Sequence, residues 1–347
     1  ELAQCLTGML PPGLDKVAFP NTGGESNEMA LRLAKMHTGR HEIVAFTGSW
    51  HGQTAGASAI TYNGGRKGYG PTIPGMLAIP APNAYRCPVR HCEDACDGTC
   101  LEVGFSLVDS QSTAPPAAVI AEPVQSSGGI VVPPDGYFVR LRELCDERDM
   151  LLILDEAQTG FGRLGLDFAF QGLGVVPDIL TLSKTLGGGL PLAATVTGDA
   201  IEEDCRDKGF LFYTSHISDP MPAEVGLAVI KVLREQRLAE RAAEMGGYLL
   251  EGLAALKERH EIVGDVRGRG LLIGMELVED RQTRTPDRDA AAAVVRHALE
   301  NGLILNVLRA GSANTLRLAP PLTVSRDEID AGLAIIDRAL AAARRAA

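Results

Sequence analysis

Two short apolar runs, Met150–Leu154 and Ile179, Leu180 and Leu182, narrow what this chain can fold into more than any other feature. Runs this short, with no alternation of apolar and polar residues, read as strands buried on both faces, the kind found in parallel sheets covered by helices. Each run delivers an ionisable residue at or just beyond its carboxyl end, Asp155 after the first and Lys184 after the second. In open α/β sheets that edge is where ligands bind. Behind the lysine, Gly187, Gly188 and Gly189 leave the backbone open to close approach. An amine at the end of a buried strand is poorly hydrated, which lowers its pKa and turns it into a nucleophile. The plainer readings are a surface lysine before a glycine turn and an aspartate capping the next turn.

The company these two residues keep favours the chemical reading. A carboxylate and an amine at neighbouring strand ends are what pyridoxal phosphate (PLP) requires: an amine to hold it and an anion to keep its pyridine nitrogen protonated. The stretches L-I-L-D-E-A-Q-T-G-F-G-R (152–163) and T-L-S-K-T-L-G-G-G-L-P-L-A-A (181–194) resemble the class III (subgroup II) aminotransferases, and within them the 2,2-dialkylglycine decarboxylases most of all. The resemblance runs over nearly the whole chain. It implies an α/β fold of fold-type I, a mostly parallel sheet covered by helices, with a smaller C-terminal α+β domain. We expect the large domain over 1–222 and a linking helix with the small domain over 223–347. The resemblance also implies a further segment ahead of Glu1 that supplies part of the active-site wall.

Residue by residue, the resemblance assigns Lys184 as the amine that holds the cofactor and Asp155 as the partner of the pyridine nitrogen. Gln158 falls beside the phenolic oxygen of the ring. Thr22, Gly23 and Gly24 match the phosphate cup, although Gly24 stands where alanine is common, and they lie in an expected loop, 21–28, that opens into a helix from Met29 to Met36. Trp50, the single tryptophan, matches the aromatic that lies over one face of the ring, and it precedes His51-Gly52. Glu122 shapes the site at a strand end, and Ser127 stands where a leaving carboxylate is contacted. Ser215, a serine where threonine is usual, matches the hydroxyl that reaches the phosphate of a neighbouring subunit, which implies a homodimer or a dimer of dimers. Ser215, Ile217 and Asp219 match an alkali-cation site for K+ or Na+. Arg317 matches the arginine that grips the substrate carboxylate, a task suited to its planar fork.

The reaction implied is decarboxylation-dependent transamination of 2,2-dialkylglycines, with a 2-oxo acid such as pyruvate as amino acceptor. Conventional transamination of an ω-amine or α-amino acid is the near alternative, and a non-catalytic homologue the remote one. A nucleotide-hydrolysing reading of L-I-L-D-E as a Walker-B strand fails, because no G-x-x-x-x-G-K-[ST] occurs in the chain. In V-R-G-R-G-L-L-I-G (266–274) the glycine spacing does not fit a dinucleotide fingerprint, and a hairpin edge is expected.

A net charge of −11 over 347 residues carries no basic patch that would favour nucleic acid. No apolar run approaches the roughly twenty residues that span a bilayer. Seven cysteines suit a reducing cytoplasm better than a disulfide framework. Four of them, Cys87, Cys92, Cys96 and Cys100, lie close to His91 in sequence. Their spacing is not that of paired zinc-ribbon ligands, yet thiols four apart along a helix would share a face, which permits a Zn or Fe–S site without requiring one. From about Ala223 one long helix is expected to lead into the small domain, and an amphipathic helix over 327–346 closes the chain.

Overall fold

The structure, a computed structural model, describes every residue except 90, 91, 93–95, 309–313 and 347, and no side chain beyond 343. Seven strands form the larger sheet: β1 (Lys16–Ala18), β2 (Ile43–Phe46), β3 (Met76–Ile79), β4 (Ala118–Ala121), β5 (Leu151–Asp155), β6 (Ile179–Leu182) and β7 (Ala194–Thr197). Their order is β1-β7-β6-β5-β4-β2-β3. β7 runs antiparallel to both of its neighbours, and the other pairings are parallel.

The apolar runs are explained by what lies on either side. Val119, Leu152, Leu154, Leu180 and Leu182 pack into one cluster with Leu101, Phe105 and Leu141 of the helices Thr99–Gln111 and Tyr137–Asp146. Their alternate neighbours Ala118, Ile120, Ile153 and Ile179 pack into another with Met29 and Leu33 of the helix Gly23–Thr38. Successive side chains on a strand point to opposite faces, so a sheet with helices on both sides needs apolar residues at every position.

A second, antiparallel sheet is built from β8 (Val263–Arg269), β9 (Leu272–Asp280), β10 (Thr285–Pro286), β11 (Asn306–Leu308) and β12 (Thr315–Leu318). β8 and β9 make the expected hairpin. The helices Leu238–Arg259, Arg288–Glu300 and Arg326–Ala346 contribute Leu249, Leu253, Val294 and Ile336 to the same continuous core. The two sheets fall on either side of residue 222. No helix among the described residues is long and apolar enough to cross a membrane.

Three local expectations change. The helix expected from Met29 begins at Gly23, because Thr22 caps it by accepting a hydrogen bond from the Glu25 amide (3.2 Å), so the glycines are its first turn. The single long helix beyond residue 220 is two, Pro220–Glu235 and Leu238–Arg259, parted at Arg237, whose φ of 49° lies in the left-handed region. The cysteines do not share one helical face: the helix there starts at Thr99, behind an Asp97 cap, and of the four only Cys100 belongs to it.

Candidate active site

β5 and β6 are parallel neighbours, with Asp155 opposite Thr181, so the carboxylate and Lys184 leave the same edge of the sheet side by side. Lys184 has a φ of 45°, unusual for a residue with a side chain and the kind of backbone found where a site holds a residue against its preference. One expectation is corrected here. Lys184 is exposed in this chain, not desolvated, because the segment after β6 leaves the sheet edge in a short 3-10 turn.

Asp155 is buried, 4% exposed, and three donors converge on it. Oδ2 accepts from Asn27 Nδ2 and from His51 Nδ1, each at 2.8 Å, and Oδ1 accepts from the Ala157 amide at 3.0 Å. Burial alone would push the carboxyl pKa up. The hydrogen bond and charge of His51, helped by Lys184, outweigh that and hold it below the usual range. His51 Nε2 is buried with no partner, so the imidazole proton belongs on Nδ1, donated to the carboxylate. Asn27 in turn accepts from Thr181 Oγ1 (2.8 Å) and donates to the His51 carbonyl (2.7 Å), which locks its amide orientation. Sequence reasoning assigned neither Asn27 nor His51 to this carboxylate.

The amino end of the helix Gly23–Thr38 closes on the same edge. A Cβ at Gly23 would meet Ser183 and Ala157 at 3.4 and 3.6 Å, and one at Gly24 would meet Thr54 at 3.5 Å. Gly52 has a φ of 127°, and a Cβ there would lie 2.8 Å from the Gly24 Cα. The Gly52 backbone therefore lies directly against the helix amino end, with the small side chains of Ser183, Ala157 and Thr54 beside it, a cradle suited to a phosphate. Cradle, buried carboxylate and amine together fit PLP.

Glu122 follows β4 and braces two backbones. Oε1 accepts from the Trp50 amide (2.9 Å) and Oε2 from the Ser126 amide (3.2 Å). Burial, and the nearby Asp155 charge, push its pKa up to about 7 although His51 opposes them. A carboxyl raised in the folded state adds stability at pH values below its ordinary pKa and loses it as pH rises through the folded value. Glu122→Gln is therefore expected to flatten the fall in melting temperature between about pH 5 and 8, measured against wild type. An unchanged slope would place the titration elsewhere, for example at Glu156, which burial also raises to about 7.

Trp50, Ser127 and Arg317 line one cavity of about 520 Å³, with Asn63 and Asn306 beside them. Arg317 is half-buried and pairs with no carboxylate among the described residues. Gln158 is half-buried just past Asp155. Ser215 is exposed, and its carbonyl accepts from Asn21 Nδ2 (2.9 Å), beside the cradle. The Asp219 carboxylate of the expected cation site is taken by His216 Nδ1 at 2.8 Å. Among the described residues no three or more His, Cys, Asp or Glu are grouped to hold a metal ion. The expected cation set at Ser215, Ile217 and Asp219 is made of oxygens and is not a group of that kind. Of the expected cysteine cluster, Cys92 lies within hydrogen-bonding reach of Cys87 and Cys96, Cys100 is buried, and His91 lies outside the described residues.

The fold and this sheet edge define a fold-type I, PLP-dependent transferase. Residues 1–340 match the class-III aminotransferase family model, and the chain belongs to that family. It is 46% identical over 342 residues to an uncharacterized aminotransferase of Schizosaccharomyces pombe, covering 98% of this chain and 76% of that one. It is 39% identical over 345 residues to the leucine/methionine racemase of Thermococcus litoralis, again covering 98% and 76%. An amine transaminase from an uncultivated Pseudomonas species, solved in its PLP-bound form, superposes with a TM-score of 0.93 at 32% identity, covering 98% of this chain and 80% of that one.

Proposed function

We propose that this protein moves an amino group between an α-amino acid and a 2-oxo acid. The observation that carries the reading is Arg317, a half-buried guanidinium without an acidic partner among the described residues, in the cavity that also holds Trp50 and Ser127. A desolvated fork of donors with nothing to bind is a receptor for a carboxylate. PLP, when bound, supplies an electron sink for the amino acid's Cα. Thr22, Gly23 and Gly24 would hold its phosphate, Asp155 would keep a proton on its pyridine nitrogen, and Gln158 would hydrogen-bond near its phenolic oxygen. Trp50 would shield the site from water, and Lys184 would hold the cofactor and serve as acid and base at Cα. Ser215 is exposed between the exposed Tyr213 and Leu211 on one side and Met221 on the other, apolar surface that a second copy of the chain would cover.

Charge-assisted bonds to a carboxylate contribute about 1.5–3 kcal/mol. Replacing Arg317 with Gln should therefore raise KM for an accepted α-amino acid roughly tenfold to a hundredfold, and by far more than for benzylamine, which has no carboxylate. Equal effects on the two amines would remove Arg317 from this role.

Ser127 favours a second reading. It lines the same cavity as Arg317, where its hydroxyl would hold a second carboxylate, the one lost as CO2. In that case the substrate is a 2,2-dialkylglycine, and incubation with 2-aminoisobutyrate and pyruvate releases CO2 in step with alanine. Alanine formation from other amino donors without CO2 leaves plain transamination.

A further inference from the structure

We propose that Arg267 is a positioning residue: it fixes the turn Ser126–Ile130, which carries Ser127, against the strand that carries Arg317. The inference rests on the reading of Ser127 and Arg317 as substrate contacts. β8, β9 and β12 bring Arg267, Gly274 and Arg317 into one row, with Gly274 paired to Arg267 on one side and to Arg317 on the other. Residues directly opposite across a sheet share a face, so the two arginines flank a gap at Gly274. Ile130 fills that gap: a Cβ at Gly274 would lie 2.9 Å from the Ile130 Cβ.

The turn is held in a conformation it would not choose. Gly129 has a φ of 116° and Ile130 a φ of 53°, an outlier for a β-branched residue. Arg267 supplies the grip. Its Nε donates to the carbonyls of Gly129 (3.1 Å) and Ile130 (3.0 Å), and Nη2 donates to Gly129 at 2.5 Å. Nη1 donates to Asp265 Oδ2 at 2.7 Å and Nη2 also pairs with Glu276 Oε2 at 2.8 Å, which fixes the guanidinium plane. Glu276 is 1% exposed, and its other oxygen accepts from Arg86 Nε and from Asn314 Nδ2. From the opposite side, Glu122 holds the Ser126 amide and the Gln125–Val131 bridge closes the turn. One arginine of the row thus has all three of its nitrogens engaged with protein, and the other keeps its fork for substrate. Their common strand neighbour sets the distance from Ser127 to Arg317.

The test uses the PLP-loaded protein and three variants, Arg267→Gln, Arg267→Lys and Gly274→Ala. Amide hydrogen exchange is followed by mass spectrometry over residues 124–131, alongside the concentration of L-alanine or benzylamine needed to bleach the cofactor's visible band. We expect faster exchange in that segment for Arg267→Gln, with Arg267→Lys intermediate, and an unaltered cofactor band. The L-alanine requirement should rise about tenfold or more while that for benzylamine stays within twofold, since small misplacements in a site are costly. Gly274→Ala, which displaces Ile130 without touching Arg267, should reproduce the L-alanine effect. Unchanged exchange over 124–131 overturns the proposal whatever the kinetics, and so does an equal loss with both amines. Should wild type not respond to L-alanine at all, the α-amino-acid reading has failed, and exchange alone then decides whether Arg267 holds the turn.

Discussion

Replacing Lys184 with alanine is expected to reduce amino transfer at least 10³-fold, because it removes the nucleophile and the proton carrier in one step. The side chain stands past the end of β6, beside the strand that ends in Asp155. Wild type reduced with borohydride should carry the cofactor's mass permanently on the peptide that contains Lys184. The variant should carry none there, although the cradle and Asp155 are intact and PLP can still bind without a covalent bond. A cofactor found on another lysine, or a variant within tenfold of wild-type rate, would remove Lys184 from the centre of the site. Its exposure in a single chain leaves the amine accessible to PLP entering from solvent.

The legible part of this molecule was its strand ends. β5 and β6 are short, mostly apolar runs whose burial on both faces is legible in their pattern, and that places Asp155 and Lys184 at one edge. β3, with Met76, Leu77 and Ala78 only partly buried or exposed, has no comparable pattern and was not anticipated. Partners across the fold were illegible for a different reason. Asn27 reaches Asp155 over 128 residues of sequence and His51 over 104, and nothing local marks either pairing. The cap at Thr22 was readable in principle, since a threonine three residues before a glutamate is a recognised helix start, but the two glycines made the first turn look like loop. At Ile130 the local preference is against the observed backbone, and only the small-domain sheet explains it.

Asp155→Asn tests the other half of the pair, and its effect is expected on both rate and fold. Asn27 Nδ2, His51 Nδ1 and the Ala157 amide all donate to the carboxylate. An asparagine offers one acceptor oxygen and one donor nitrogen, so whichever way it turns a donor is left facing a donor. A buried donor left without its acceptor costs about 1–3 kcal/mol, and a lowered melting temperature would report it. The neutral amide can no longer hold a proton on the pyridine nitrogen, and the loss of a preorganised charge of this kind is expected to lower kcat about 10²–10³-fold. The pH dependence separates this carboxylate from the others. Its folded pKa lies below the ordinary value, so it stabilises the protein at higher pH and that contribution fades as pH falls through the folded pKa. Wild type should therefore lose stability on acidification below about pH 4, and Asp155→Asn, lacking the titrating group, should lose less over the same interval. Parallel acid limbs in the two proteins would mean that His51 and Asn27 do not hold Asp155 as an anion, and its place opposite the pyridine nitrogen would have to be given up.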